Sequence, residues 1–239
     1  MRVNAYIDGW NLYNAELKLE DYRLEWLNLR ALCQHFCNED DILNAVYYFT
    51  AYEDRKKSLN SGSDRHKIYI DEFLKDFDVE PKFGYMSKFE GVLKEKYTDV
   101  NLALQVFEDA MYDRFDKAIL LSADTDFIPV IERVQKLNKD ILLLIPPKSE
   151  VSDRFYSVIN DKNVNCINEN DLATHLLPVE SKNGVKMPRQ YLSKTKQARE
   201  QTEEFTKKLK YASWNPTLCE KCKGYLRYEG YDRLKQNRR

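Results

Sequence analysis

The sequence predicts an α/β sandwich built around a mainly parallel sheet. Short apolar runs, which are typical of strands buried on both faces, alternate with segments whose apolar residues recur at helical spacing. The run at residues 118–121 is one such strand, and Ile128, Ile131 and Val134 follow it at helical spacing, with Pro129 tolerated in the first helical turn. Strands and helices that alternate at these lengths favour parallel pairing.

Each element follows from its local pattern. The second strand is rich in β-branched and aromatic residues, and Pro146 and Pro147 close the fifth. Six strands are predicted, at residues 2–7, 42–52, 79–86, 118–121, 140–145 and 164–167. Helices are predicted from about residue 12, at 26–37, 61–77 and 99–115, after the fourth strand as far as 137, and at 152–159 and 170–177. The polar connection at 87–98 is compatible with a hairpin.

The charge distribution divides the chain into two parts. Residues 1–178 carry a net charge of −10 and residues 179–239 carry +9, although the 239-residue chain as a whole carries only −1. We therefore predict a domain at 1–178 and a small basic helical extension at 179–239. An acidic body with a basic tail suits a metal-dependent enzyme that acts on a polyanion, while a solvated tail that only aids solubility explains the charge equally well.

Composition also sets expectations for the compartment. There is no run of 18 apolar residues, and the first residues reach the charged Asp8 too early for a signal peptide. The five cysteines are odd in number and mostly isolated, which favours a reducing environment over a disulfide framework. We expect a cytoplasmic protein without a membrane partner.

Carboxylates occur where two of the predicted strands end. Asp8 ends the first strand, Asp124 and Asp126 end the fourth, and Asp99 opens a helix that could return to the same edge of the sheet. If the first and fourth strands are neighbours, these four side chains converge. Carboxylates that lie close together raise one another's pKa unless a cation is bound among them.

An oxygen-only ligand set suits Mg²⁺ or Mn²⁺, and the corresponding chemistry is hydrolysis of a phosphoryl ester. Rival enzyme classes lack their motifs, since no Gly-rich phosphate loop follows the first strand and no Gly-x-Ser-x-Gly elbow occurs. An aspartyl phosphatase would need a second Asp at the position of Trp10. Structural roles stay open beside the catalytic one: Asp99 and one of Asp124 and Asp126 as helix caps, Asn11 as an ordinary helical residue and Lys96 as a solvated lysine.

Three segments resemble the motifs of the NYN domain, the LabA-like branch of the PIN-like nucleases. They are residues 6–12 (YIDGWNL), 96–104 (KYTDVNLAL) and 121–127 (LSADTDF), and their order and spacing fit that family over roughly residues 2–177. The resemblance implies a PIN-like Rossmannoid sheet and a metal-dependent ribonuclease. One departure is Ala123, where the family commonly has glycine.

The resemblance also implies roles for individual residues. Asp8, Asp99, Asp124 and Asp126 would be the metal-binding acids, and Asn11 would orient the first motif or a water molecule. On the substrate side, Lys96 would lie near the phosphate, with Lys94 beside it and Ser122 shaping the turn.

The basic extension contains half of a possible zinc site. Cys219 and Cys222 have the spacing of metal ligands, but no second pair follows them. The other two ligands could come from a second chain, in a homodimer, or there are none and the pair binds no zinc. Aromatic residues interleaved with cations, such as Trp214 and Lys221, suit stacking on unpaired bases, and a small aromatic core would account for them too.

The sequence thus favours a Mg²⁺- or Mn²⁺-dependent endoribonuclease whose partner is single-stranded or structured RNA. Two rivals stay open: a non-catalytic RNA-binding or regulatory module, and a nuclease that acts on DNA.

Overall fold

The computed structural model describes residues 1–51, 62–89 and 92–192, and two short strands at 217–218 and 226–227. The strands are β1 (Arg2–Asp8), β2 (Ile42–Thr50), β3 (Val79–Phe83), β4 (Tyr85–Phe89), β5 (Val92–Lys96), β6 (Lys117–Leu121), β7 (Asp140–Ile145), β8 (Val164–Cys166), β9 (Thr217–Leu218) and β10 (Leu226–Arg227). The helices are α1 (Gly9–Leu17), α2 (Leu29–His35), α3 (Gly62–Ile68), α4 (Thr98–Met111), α5 (Ile128–Lys136), α6 (Asp153–Tyr156) and α7 (Glu169–Thr174).

Six strands form a parallel sheet in the order β3-β2-β1-β6-β7-β8. This confirms the predicted α/β fold and its parallel sheet. The strand β1 pairs with β6 in register from Val3–Lys117 to Ile7–Leu121, so the first and fourth predicted strands are neighbours. The strand order reverses at β1, and the crevice outside the carboxyl ends at such a reversal is where open α/β sheets bind ligands.

Two apolar cores cover the two faces of the sheet, because successive side chains of a strand point to opposite sides. Along β6, Ile119 and Leu121 enter one core, while Ala118 and Leu120 enter the other. The first core includes residues of α1 and α2, and the second includes residues of α4 and α5. The predicted sandwich is therefore present, with a helical layer on each face.

A buried carboxylate fastens α4 to the middle of the sheet. Asp109, which is fully buried, accepts hydrogen bonds from the Tyr6 hydroxyl at 2.7 Å, from Gln105 Nε2 at 2.9 Å and from Arg114 at 2.8 Å. Because Tyr6 belongs to β1, this network sets the position of α4 relative to the strand that ends in Asp8. A buried carboxylate needs such partners, since an unpaired charge in a core is costly.

Several predicted elements have different bounds in the structure. The helix predicted at 26–37 is only α2, preceded by a 3-10 turn at Tyr22–Glu25, and the one predicted at 152–159 is the single turn α6. The helical segment at 62–77 is regular only in α3 and continues as a π-turn at Tyr69–Phe73 and a 3-10 turn at Leu74–Phe77. Apolar periodicity does not distinguish these narrower and wider turns from an α-helix.

The predicted third strand is divided at Gly84. The strand β3 belongs to the parallel sheet, while β4 pairs with β5 in an antiparallel hairpin. A Cβ atom on Gly84 would lie 2.1 Å from Thr98 Oγ1 and 2.8 Å from the Lys96 carbonyl oxygen. The chain leaves the sheet at a point where only glycine leaves room for the segment that leads into α4.

The described chain continues to pack on the domain beyond residue 178. Met187 is buried, its amide donates to the Val179 carbonyl, and the rings of Tyr191 and Trp26 lie 4.7 Å apart. The boundary at 178 stays a prediction. Within the described residues, no helix has both the length and the apolar character needed to cross a lipid bilayer.

Candidate active site

Asp8 lies at the carboxyl end of β1 and is 4% exposed. It is the N-cap of α1, because its Oδ1 accepts from the Asn11 amide at 3.0 Å, and its Oδ2 accepts from the Ser122 hydroxyl at 3.0 Å. Both oxygens thus accept a hydrogen bond, as the polar atoms of nearly buried side chains generally do. Asp8 therefore caps a helix, a role that the sequence did not predict for it, at the predicted position at the end of β1.

After Asp8 the chain turns tightly against β2, and this turn requires glycine at position 9. A Cβ atom at this position would lie 2.6 Å from the Phe49 carbonyl oxygen and 2.7 Å from the ring of Tyr48. Only glycine permits this approach, which starts α1 directly after Asp8. The glycine of the first motif is therefore explained by packing.

Ser122 and Asn11 connect the first motif to the third. The Ser122 hydroxyl donates to Asp8 and accepts from the Asp124 amide at 3.1 Å, while Asn11 Oδ1 accepts from the Ala123 amide at 3.1 Å. These residues are more than one hundred positions apart in sequence, yet they form one hydrogen-bonded unit. The unit holds the loop after β6 against the start of α1.

Asp124 and Asp126 occupy the loop that Ser122 and Asn11 hold. Asp124 caps the 3-10 turn at Thr125–Phe127, since its Oδ1 accepts from the Asp126 amide at 2.9 Å. No hydrogen bond within the described part of the chain uses its other oxygen. Asp126 is exposed to solvent. The capping role expected for one of these acids is present, and it leaves carboxylate oxygens available at the edge of the sheet.

Asp99 lies in the first turn of α4 and does not cap it. The cap position belongs to Tyr97, whose side chain makes no capping bond. The Asp99 side chain is accessible to solvent, but the surrounding protein removes part of its hydration, and this loss, together with the negative charges of Asp124 and Asp126, raises its pKa. The negative charges of Asp124 and Asp126, in the third motif, therefore act on Asp99, the acid of the second motif.

Among the side chains that the structure describes, these three acids have no positively charged partner. In the ranges that the structure describes, no ion pair involves Asp99, Asp124 or Asp126, and no group of three acidic, histidine or cysteine side chains is close enough to hold one ion. Uncompensated neighbouring carboxylates still suit a hard cation that keeps most of its water and binds through one or two of them, which is the habit of Mg²⁺. The donor set thus fits a hydrated Mg²⁺ or Mn²⁺.

Basic residues occur near the acids, Arg154 through a side-chain contact and Lys96 through its position in sequence. Lys96 ends β5, is exposed, and forms no ion pair with another described residue. Lys94 also lies in β5, but its side chain is outside the described part of the structure. Arg154, on α6, is exposed and donates to Thr125 Oγ1 at 3.5 Å, between the two acids of the third motif.

Sequence reasoning missed Arg154. A signal existed, because α6 follows β7, the next strand of the sheet after β6, and loops after neighbouring parallel strands meet at one edge. The predicted zinc ligands Cys219 and Cys222 lie outside the described residues, as do the aromatic and basic side chains around them. Only the antiparallel pairing of β9 with β10, which bracket this segment, is described there.

Of the comparisons with known proteins, the match to a family model agrees with the motifs. The family model described as NYN domain matches residues 2–161. Over 176 residues the chain is 24% identical to 6-hydroxy-3-succinoylpyridine 3-monooxygenase HspA of Pseudomonas putida (strain DSM 28022 / S16); the alignment covers 56% of each chain, so this chain matches only about half the length of that relative. A crystal structure of VPA0982, a protein of unknown function from Vibrio parahaemolyticus RIMD 2210633, is 19% identical, with 74% of this chain and 95% of that chain covered and a TM-score of 0.47.

Proposed function

The chain belongs to the NYN domain family, and from this premise we propose that it is a Mg²⁺- or Mn²⁺-dependent endoribonuclease. The family itself points to a nuclease of the PIN-like class. The metal requirement, the choice of RNA and the roles of the individual acids are parts of the proposal.

One observation supports the proposal most directly. The negative charges of Asp124 and Asp126 act on Asp99 at the carboxyl edge of the sheet, without a positively charged side chain from the described residues to neutralise them. A protein gains no stability from such an arrangement in the absence of a ligand, because like charges repel. A bound divalent cation would remove the repulsion.

One or two of the three acids would hold the cation, and the nearly buried Asp8 would support the loop that carries Asp124 through its hydrogen bond with Ser122. When bound, the cation would supply Lewis-acid polarisation of a phosphodiester and a lowered pKa for an attacking water molecule. The hydrogen bonds from Asn11 and Ser122 orient Asp8, and Ser122 also accepts from the amide of Asp124, so it holds the loop that carries this acid. In-line attack by water would leave a 5′-phosphate and a 3′-hydroxyl.

The phosphate would be bound by the side chains that border the acids. Arg154 has a planar guanidinium that matches phosphate oxygens in two-point contacts, and Lys96 offers a point charge. Both are exposed, and neither forms an ion pair with another described residue. An acidic centre with basic borders attracts a metal–phosphate complex where it would repel a bare polyanion.

The test is cleavage of a labelled single-stranded RNA by the full chain, with Mn²⁺ and with EDTA. The informative variant is Asp124→Asn. Its matched control is Asp140→Asn, because Asp140 is an exposed acid at the amino end of β7, and the candidate site lies at the carboxyl ends of the strands. We expect cleavage by the wild type and by Asp140→Asn with Mn²⁺, and none by Asp124→Asn or in EDTA.

Other outcomes overturn the proposal and direct attention to the rivals. RNA that is bound but left intact by all proteins would indicate a non-catalytic RNA-binding module. A 2′-deoxy strand cleaved faster than RNA would indicate a DNA nuclease. The curated relative is named as a monooxygenase; turnover of 6-hydroxy-3-succinoylpyridine without RNA cleavage would place this chain in that activity class instead.

The remaining expectations stay predictions. They are zinc at Cys219 and Cys222, a homodimer, the basic tail as an RNA-binding element and a cytoplasmic location.

A further inference from the structure

Two large aromatic side chains lie exposed beside the acids. Trp10 occupies the first turn of α1, between Asp8 and Asn11, and is 55% exposed. Tyr97 precedes Thr98 and Asp99 at the start of α4 and is 63% exposed. Each residue is therefore within two positions of a carboxylate of the candidate site. Neither contributes to a core, so burial on folding does not explain them.

Trp10 has a neighbour that supports it. Its ring centroid lies 6.1 Å from that of Tyr13, with an angle of 41° between the ring planes, and Tyr13 follows three positions later on the same side of α1. The contact restricts the tryptophan while more than half of its surface remains accessible. A preorganised ring loses less conformational entropy when it stacks on a ligand.

Tyr97 is held in an unusual backbone conformation. Its φ of 71° and ψ of −8° lie in the left-handed region, where a bulky residue is rare. The turn is constrained from outside, because Gly84 packs against the backbone on both sides of Tyr97. Strained residues that the surrounding structure enforces are concentrated at functional sites. Here the enforced turn places an exposed tyrosine between Lys96 and Asp99.

We propose that Trp10 and Tyr97 stack on the nucleobases that flank the phosphate bound at the acids, so that the substrate is an unpaired strand. This rests on the proposed function for the identity of the strand, and it adds the two residues that select for unpaired bases. Bases in a duplex have both faces covered by their neighbours, whereas bases of a single strand can separate and stack on aromatic side chains. Lys96 and Arg154 would contact the phosphate without distinguishing the two forms.

The experiment measures binding and not cleavage. Full-length protein in the Asp124→Asn background, which we expect not to cleave, is titrated in Mn²⁺ with a fluorescent oligoribonucleotide, as a single strand, as a duplex and with abasic sites beside the central phosphate. The variants are Trp10→Ala, Trp10→Phe and Tyr97→Asn, the last because asparagine tolerates a positive φ. The control is Tyr112→Ala, since Tyr112 is 67% exposed at the far end of α4.

We expect Trp10→Ala and Tyr97→Asn each to weaken single-strand binding by about 5- to 100-fold. Trp10→Phe and Tyr112→Ala should bind almost as the parent protein does. The affinity of the parent for the abasic strand should be lower than for the intact strand by a similar factor. Trp10→Ala and Tyr97→Asn should lose little further affinity on the abasic strand, because each already lacks an aromatic ring on which the missing base would stack. Melting temperatures close to the parent value would show that the variants are folded.

Equal affinity of the parent for single strand and duplex would overturn the inference, and so would full affinity of Trp10→Ala and Tyr97→Asn for the intact strand. The cleavage assay separates the two proposals. Cleavage with unchanged binding by the aromatic variants means that only the stacking inference fails. Stacking-dependent binding without any cleavage by the wild type means that only the nuclease assignment fails.

Discussion

The Ser122 hydroxyl donates to Asp8 Oδ2 at 3.0 Å, across 114 positions of sequence. The same hydroxyl accepts from the Asp124 amide at 3.1 Å. One fully buried side chain thus orients the acid at the end of β1 and the loop that carries the acids after β6.

Ser122→Ala should therefore affect both stability and activity. The substitution removes a donor from the nearly buried Asp8 and leaves the Asp124 amide without its acceptor, so we expect a loss of about 1–3 kcal/mol in the free energy of unfolding. The rate of RNA cleavage should fall by more than the loss of folded protein explains, because the loop that carries Asp124 is no longer held by Ser122. Urea unfolding and cleavage rates measure the two effects. Ser149→Ala, on the loop after β7, is the control and should remain within about 0.5 kcal/mol of the wild type.

Asn11 can be tested with a pair of variants that differ in one property. Asn11→Ala leaves the Ala123 amide without its acceptor, and we expect it to lower the free energy of unfolding by about 1 kcal/mol and to reduce cleavage. Asn11→Asp keeps the acceptor oxygen and should retain more stability, although it adds a charge beside Asp8. Equal destabilisation by the two variants would show that the bond to Ala123 does not connect the motifs.

Asp99→Asn should stabilise the protein when divalent cations are absent. The pKa of Asp99 is raised in the folded state, so the folded state keeps the Asp99 proton to higher pH than the unfolded state does. The free energy of unfolding therefore falls as the pH rises from the unfolded pKa through the folded pKa, and the charge of Asp99 is unfavourable to folding at pH 7. Removing it should add about 0.5 kcal/mol, a size typical of accessible charges.

Thermal unfolding of the Asp99→Asn protein in EDTA and in Mn²⁺ provides the measurement. Under the proposed function, Mn²⁺ raises the melting temperature of the wild type and of Asp140→Asn, but raises that of Asp99→Asn much less. A wild type that Mn²⁺ does not stabilise would contradict a metal site at these acids.

Arg154→Ala tests the residue that the sequence did not reveal. If Arg154 contacts a phosphate, its loss should weaken RNA binding a few fold to about tenfold and should lower the slope of log affinity against log salt concentration by about 1. Arg133→Ala is the control, because Arg133 is an exposed arginine on α5 whose guanidinium donates to the Pro129 carbonyl of its own helix. A salt slope that is unchanged in Arg154→Ala would remove Arg154 from the phosphate-binding group.

His66 should make stability depend on pH. Its Nε2 lies 3.3 Å from Thr50 Oγ1 at the end of β2, and burial lowers its pKa from 6.5 to about 4. The unfolded state therefore takes up a proton first, so the contribution of His66 is complete above about pH 6.5 and is lost as the pH falls towards 4. The full effect is on the order of 3 kcal/mol, because one pKa unit corresponds to about 1.4 kcal/mol.

Urea unfolding between pH 7 and pH 4 measures this dependence. His66→Gln, which does not titrate, should flatten the curve in that window. A curve with the same slope in His66→Gln as in the wild type would assign the pH dependence to other groups.

The sequence alone determined the elements and the residue types at their ends. Apolar runs such as 118–121 and 140–145 predicted the strands because a strand buried on both faces needs a continuous apolar run, which is a local property. The same local patterns placed Asp8, Asp124 and Asp126 after strands. The same patterns predicted one helix at 61–77, whereas the structure has α, π and 3-10 turns in succession at 62–77. The periodicity did not reveal this difference, because the three kinds of turn bury much the same residues.

Only the tertiary structure decided which of these ends meet. The pairing of β1 with β6 brings Asp8 to Ser122. The hydrogen bond between Tyr6 and Asp109 fixes the position of α4, whose Asp99 is affected by the charges of Asp124 and Asp126. The helix α6, after the neighbouring strand β7, contributes Arg154. Strand order and helix docking depend on contacts between residues far apart in the chain. Local periodicity carries no record of such contacts, because it specifies which face of an element is buried and not which element covers it.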